Sequence, residues 1–184
     1  MAVDLLGYLK GGVDSPRLWV NFNKYAKNLL LGSDANPWST PASYLSFYTQ
    51  AHALVKAEVV LIDIWDLFHH WMEDDENAIK SMSEKSRATF ASKVLLEAYA
   101  PRELLAEVLI AMNDNYGNSV PIVLVIPSPR SLLARSHQAA TKNDLEPTEM
   151  SVDTVSMYMA DFLRYYSETN LSGILLVEDE KLLQ

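Results

Sequence analysis

A mostly parallel α/β domain is what the chain predicts: a sheet of four or five strands with alternating helices, either an open three-layer domain or half of a (β/α)8-type barrel. Three features carry the prediction. Four short apolar runs, at 18–22, 58–65, 120–127 and 173–179, are continuous and β-branched rather than alternating, which suits strands covered on both faces. The segments between them carry helical periodicity. Strand and helix then alternate strictly, the pattern that right-handed βαβ units produce. At 184 residues the chain suits one domain, 1–184, with a sizeable core.

Taken in order, "LWVNF" (18–22) is the first expected strand. The helix at 39–57 starts with Thr40 as cap and Pro41 at the first helical position, where its missing N–H costs nothing. Leu45, Tyr48, His52 and Val55 would form one face of it. "EVVLIDIW" (58–65) is the second strand. The stretch 86–117 reads as one or two helices, because Pro101 marks a break or a new first turn and Gly117 a stop. Leu104, Leu105, Val108, Leu109 and Met112 give its second part an apolar stripe. "VPIVLVIP" (120–127) is the third strand. The last helix, 151–168, has Val152, Val155, Met159, Phe162 and Tyr166 at spacings of three and four. "GILLVED" (173–179) is the fourth strand. The polar stretches 73–86 and 140–151 read as exposed loops or a lid.

Composition narrows the chemistry. A net charge of -9 disfavours nucleic acid and anionic membranes as partners, since both need clustered Lys and Arg. No cysteine is present, which removes disulfides, thiolate metal sites and Cys nucleophiles. The opening lacks the basic flank and long apolar run of a secretory signal, so a cytoplasmic protein is expected. GxGxxG, GxxxxGK[ST] and GxSxG are all missing, and no cofactor is implied.

In parallel α/β folds, ligands bind beyond the carboxyl ends of the strands. That rule selects Asn21, Asn23 and Lys24 after the first strand, Asp63, Asp66, His69 and His70 in and after the second, Ser128 and Arg130 after the third, and Glu178, Asp179 and Glu180 after the fourth. Asp63 sits in an apolar run, where a carboxylate needs a partner such as Lys24 or Arg130, a raised pKa, or a role as helix cap. Ser128, Arg130 and Ser131 lie near an expected helix N-terminus, which with an Arg beside it suits a carboxylate or phosphate; the alternative is that Ser131 is simply the helix cap. Adjacent His69 and His70 point apart and suit no metal, and read as exposed helix-end residues; His52 reads as a satisfied core histidine.

Two segments, "PIVLVIPSPRSLLA" and "MYMADFLRYYSETNLSGILLVEDEKLL", together resemble the superfamily of uroporphyrinogen decarboxylase and cobalamin-independent methionine synthase. Those enzymes are (β/α)8 barrels, in which a strand leads into a GPxTL-like turn and a later strand ends in a DEP-like motif. Ser128, Pro129, Arg130, Ser131 and Leu132 would stand on the first motif, with Ser for Gly and Ser for Thr; Asp179, Glu180 and Lys181 would stand on the second, with Lys for Pro. The resemblance covers about a third of the chain and the amino-terminal half of a barrel. It implies a small-molecule lyase or a one-carbon transferase acting on a carboxylate-bearing substrate. Arg130 and the turn from Ser128 to Ser131 would hold that carboxylate, with Asp63 or Asp179 as acid, base or electrostatic stabiliser. The alternative is a non-catalytic subunit or interaction module. A half-barrel would leave sheet edges and an apolar face that a protein partner or a second copy must cover.

Overall fold

A computed structural model describes residues 2–11, 17–32, 36–117 and 119–182. The helices are α1 (Leu5–Lys10), α2 (Asn23–Leu30) and α3 (Pro41–Val55), followed after the first strand by α4 (Ile64–Asp74), α5 (Ala78–Met82), α6 (Phe90–Glu97) and α7 (Tyr99–Tyr116). Two more, α8 (Pro129–Thr141) and α9 (Glu149–Arg164), come after the second strand. The strands are β1 (Val60–Asp63), β2 (Ile122–Pro127) and β3 (Gly173–Val177), and they form an open parallel sheet in the order β1-β2-β3. The α/β class is as expected.

Three strands form among the described residues, where four or five were expected. The first apolar run does not become one. Instead its backbone is tied at Leu18, where Glu58 N donates to Leu18 O at 2.9 Å, and just past its other end the Asn23 side-chain amide donates to Leu61 O of β1 at 3.1 Å. The Glu58 carboxylate takes Leu18 N and Arg17, so side chains hold what a ladder would. Burial also differs along the sheet. β2 is buried throughout and β1 nearly so, as a continuous apolar run demands. β1 and β3 are the outer strands, and on β3 Ile174, Leu176 and Val177 are 47%, 53% and 39% exposed.

The chain divides into two compact units, and the division passes through each strand. The first holds Met1–Ile62, Glu103–Leu124 and Glu168–Ile174. Its core is aromatic. Thr40 Oγ1 accepts from Ser43 N and Pro41 opens α3 as the sequence predicts, but the buried stripe is Tyr44, Phe47, Tyr48 and Ala51. The helix is rotated from the expected Leu45–Tyr48–His52–Val55 face because Trp38 packs on Tyr44 with centroids 4.0 Å apart. His52 Nε2 lies 2.7 Å from Ala57 O, a satisfied histidine as expected. Leu105, Val108, Leu109 and Met112 of α7 complete this core. Gly117 ends α7 at φ +57, a left-handed position suited to glycine.

The second unit holds Asp63–Arg102, Val125–Ser167 and Leu175–Gln184. Ala98 turns to an extended ψ of 124, so α6 and α7 are separate helices with Pro101 in the first turn of α7. Thr148 caps α9 with a capping box to Ser151, and Val155, Met159 and Phe162 are buried along it. Phe162 meets Phe68 at 5.8 Å between centroids and Tyr166 at 5.1 Å. Leu132 and Leu133 turn the inner face of α8 into the same core, and a buried Ser92–Ser136 hydroxyl pair at 2.6 Å joins α6 to α8. The polar stretch 73–86 is not all loop: it contains α5, whose Ala78 and Met82 are buried.

Candidate functional site

The second unit gathers the carboxyl ends of the strands, and the chemistry collects there. Asp63 is the last residue of β1 and the cap of α4, its Oδ1 accepting from Trp65 N at 2.9 Å. A short polar side chain ends the strand and starts the helix, satisfying an N–H that would otherwise lack a partner. Burial pushes its carboxyl above the usual range, and the neighbouring Asp66 adds to this, while the helix N–H groups and the charge of Arg135 pull the other way. Arg135 thus acts on Asp63, rather than Lys24 or Arg130.

At the end of β2, Ser128 caps α8: its Oγ accepts from Ser131 N at 3.1 Å. The anion expected at this helix N-terminus is the protein's own Glu178. Ser128 Oγ donates to Glu178 Oε2 at 2.7 Å and Ser131 Oγ to Oε1 at 2.6 Å. Desolvation pushes the Glu178 carboxyl up. The two hydroxyls, helped by the charge of Arg130, outweigh that and hold it below its ordinary value. Ser131 Oγ also accepts from Asp179 N at 2.8 Å, and Ser128 N donates to Val177 O at 2.7 Å. The first turn of α8 is therefore stitched to the end of β3.

One turn further along α8, Arg135 makes a two-pronged ion pair with Asp179, Nε donating to Oδ2 at 2.8 Å and Nη2 to Oδ1. The guanidinium holds the Asp179 carboxyl below its ordinary range and is itself pushed up. Arg135 also lies over the Trp65 ring, 5.4 Å from its centroid. This pair forms part of the wall of an open cleft of about 1160 Å³. Trp65, Met72, Ile79 and Leu145 supply apolar lining, and Lys142, Lys181, Glu73 and Glu180 supply charge.

Of the residues selected from sequence, Asp179 and Glu180 line the cleft; Asp63 is not among its lining residues and reaches the site only through the charge of Arg135, and Ser128, Ser131 and Arg130 surround Glu178 instead. Asn21 and Lys24 belong to the first unit: Asn21 Oδ1 accepts from Asn23 N, and Lys24 is exposed on α2. His69 is exposed and lines the cleft, whereas His70 is buried, with its ring nitrogens 3.8 Å from Asp66 and 3.5 Å from Glu73. The expectation of two exposed histidines holds for the first alone, because α4 turns its second histidine inward beside Leu67 and Phe68. Among the described residues no three His, Asp or Glu side chains form a cation site.

The residues that sequence reasoning missed are Arg135, Trp65 and Lys142. A signal for two of them exists: Ser131, Arg135, Gln138 and Lys142 fall at spacings of four, three and four, one stripe along α8. Arg130 precedes that stripe by one residue and is exposed. Among the described residues no helix is long and apolar enough to cross a membrane. Compared with family models, curated proteins and solved structures, the chain matches none.

Proposed function

We propose that the second unit binds a small carboxylate-bearing molecule in the cleft and acts on it by lyase chemistry of the decarboxylase kind. The observation that carries this reading is the Arg135–Asp179 pair on the cleft wall, electrostatically coupled to a carboxyl, Asp63, that burial keeps easy to protonate. Arg135 is a two-pronged carboxylate receptor. For loss of CO₂ the C–C bond to the carboxylate breaks, its electron pair stays on carbon, and that carbon takes a proton, for which Asp63, outside the cleft lining but coupled to Arg135, is the proposed source. Trp65, Met72 and Ile79 provide the apolar surface that favours neutral CO₂ over the charged carboxylate.

The test is a panel of small mono-, di- and tricarboxylic acids labelled with ¹³C at the carboxyl, followed for labelled CO₂ and bicarbonate. Release that disappears in Asp63→Asn is expected. If no acid in the panel loses its label while one of them binds, the lyase chemistry is wrong and a binding module remains.

A second reading is favoured by the exposed Ile174, Leu176 and Val177 of β3. In it the sheet serves as half of a barrel-like assembly, a non-catalytic subunit or an oligomer whose partner pairs with this edge.

A further inference from the structure

Arg135 is the cation best shaped to receive a carboxylate in the cleft, and its fork is already taken. Nε and Nη2 both meet the Asp179 carboxylate, and the Trp65 ring lies over the guanidinium. The ion pair is nevertheless reachable, each side chain being 28% exposed. The backbone of Asp179 is anchored independently of that pair, through its N–H to Ser131 Oγ and through the neighbouring Glu178 held by two serine hydroxyls. The Asp179 side chain can therefore leave Arg135 while the chain around it stays in place. A guanidinium accepts the two oxygens of a free acid in the same geometry as those of an aspartate.

We propose that Asp179 is a resident stand-in for the carboxylate of the ligand, and that a small apolar carboxylate entering the cleft displaces it from Arg135. The apolar body of the ligand then lies against Trp65, Met72, Ile79 and Leu145. The released Asp179 remains beside Lys181, whose charge already acts on it. Displacement has a chemical result. A carboxylate that loses its guanidinium becomes more basic, so ligand entry itself turns Asp179 into a proton acceptor. This rests on the carboxylate-binding part of the function proposed above.

Benzoate serves as the probe, and neutral benzamide as its isosteric control. An internal competitor lowers apparent affinity, so Asp179→Asn should bind benzoate about tenfold more tightly than the unaltered chain by calorimetry. Arg135→Met should lose the preference for benzoate over benzamide. If Asp179→Asn binds benzoate equally or more weakly, the stand-in role is overturned while carboxylate binding survives. If neither chain prefers benzoate to benzamide, carboxylate binding falls and takes the stand-in role with it.

A second measurement needs no variant. The ¹³C resonance of the Asp179 carboxyl, titrated in the unaltered chain, should report a pKa below the ordinary aspartate value of about 3.9 without benzoate and at or above it when saturated. Persistence of the low value in the benzoate complex overturns the proposal. The charges facing Asp179 are Arg135 from α8 and Lys181 from its own segment; Asp63, Glu73, His69, Lys142, Asp144 and Glu180 are the other titratable groups around the pair and cleft among the described residues. All of them are present in both titrations, so the difference reports the exchange of Arg135 for the charge of benzoate beside Asp179.

Discussion

Asp63 has two roles that pull its chemistry in opposite directions. As a cap it accepts from Trp65 N, which any short polar acceptor can do; as an ionised carboxylate it is disfavoured by burial. Asp63→Asn keeps the acceptor and removes the charge, so this variant should be at least as stable as the unaltered chain at pH 7. Asp63→Ala loses the cap and should cost about 1 kcal/mol. Because the folded pKa is raised, ionisation of Asp63 subtracts stability as pH rises from the unfolded value near 4 through the raised one. Urea unfolding should therefore show the advantage of Asp63→Asn growing as pH rises from about 4 to 7. An unchanged difference across that range would mean that Asp63 ionises freely in the folded state. Glu178 and Asp179 act with the opposite sign. Their lowered pKa values contribute stability that is complete above the unfolded value and is lost as pH falls through the folded ones.

At the scale of elements, α8 organises the site. Its first turn receives Glu178, its second presents Arg135, and its inner face seats Leu132 and Leu133 in the core. Ser131 joins it to the end of β3, fully buried, donating to Glu178 and accepting from Asp179 N. Ser131→Ala would leave that N–H and one carboxylate oxygen without a partner, a loss of about 1–3 kcal/mol readable in denaturant unfolding. It should also let the Glu178 pKa rise toward the ordinary range. A stability change below about 0.5 kcal/mol would mean that water replaces the hydroxyl.

Much of this element-level picture was legible. The cap Thr40, the break near Pro101, the stop at Gly117 and the apolar stripe of α9 follow from local stereochemistry, which acts over a few residues and leaves a mark in the sequence; the cap of α8 is Ser128 and not the Ser131 that the sequence suggests. What was not legible depends on distant partners. That Glu178 rather than a ligand fills the N-terminus of α8, and that Arg135 rather than Arg130 faces the cleft, depends on how the end of β3 meets a particular turn of α8. The rotation of α3 toward Tyr44 depends on Trp38 in the same way. The run 18–22 has strand composition, yet side chains supply much of its pairing with the segment around β1.

For the molecule as a whole, the two relevant quantities are its net charge of -9 and the exposed edge β3. The stretch "GILLV" carries no Lys, Pro or other residue that guards an edge against pairing. If the second reading is correct, sedimentation should give an oligomer, and Leu176→Lys should dissociate it. A monomer across a wide concentration range, at an ionic strength that screens the negative charge, removes that reading and leaves the cleft as the functional feature.

Chemical-shift mapping with benzoate and benzamide tests the carboxylate-binding cleft most directly. Benzoate should shift the Trp65 indole N–H, the Arg135 Nε–H and the Asp179 and Lys181 amides, benzamide should do so far more weakly, and Arg135→Met should abolish the difference. Equal shifts from both compounds, or benzoate shifts confined to residues outside the cleft, would contradict carboxylate binding there.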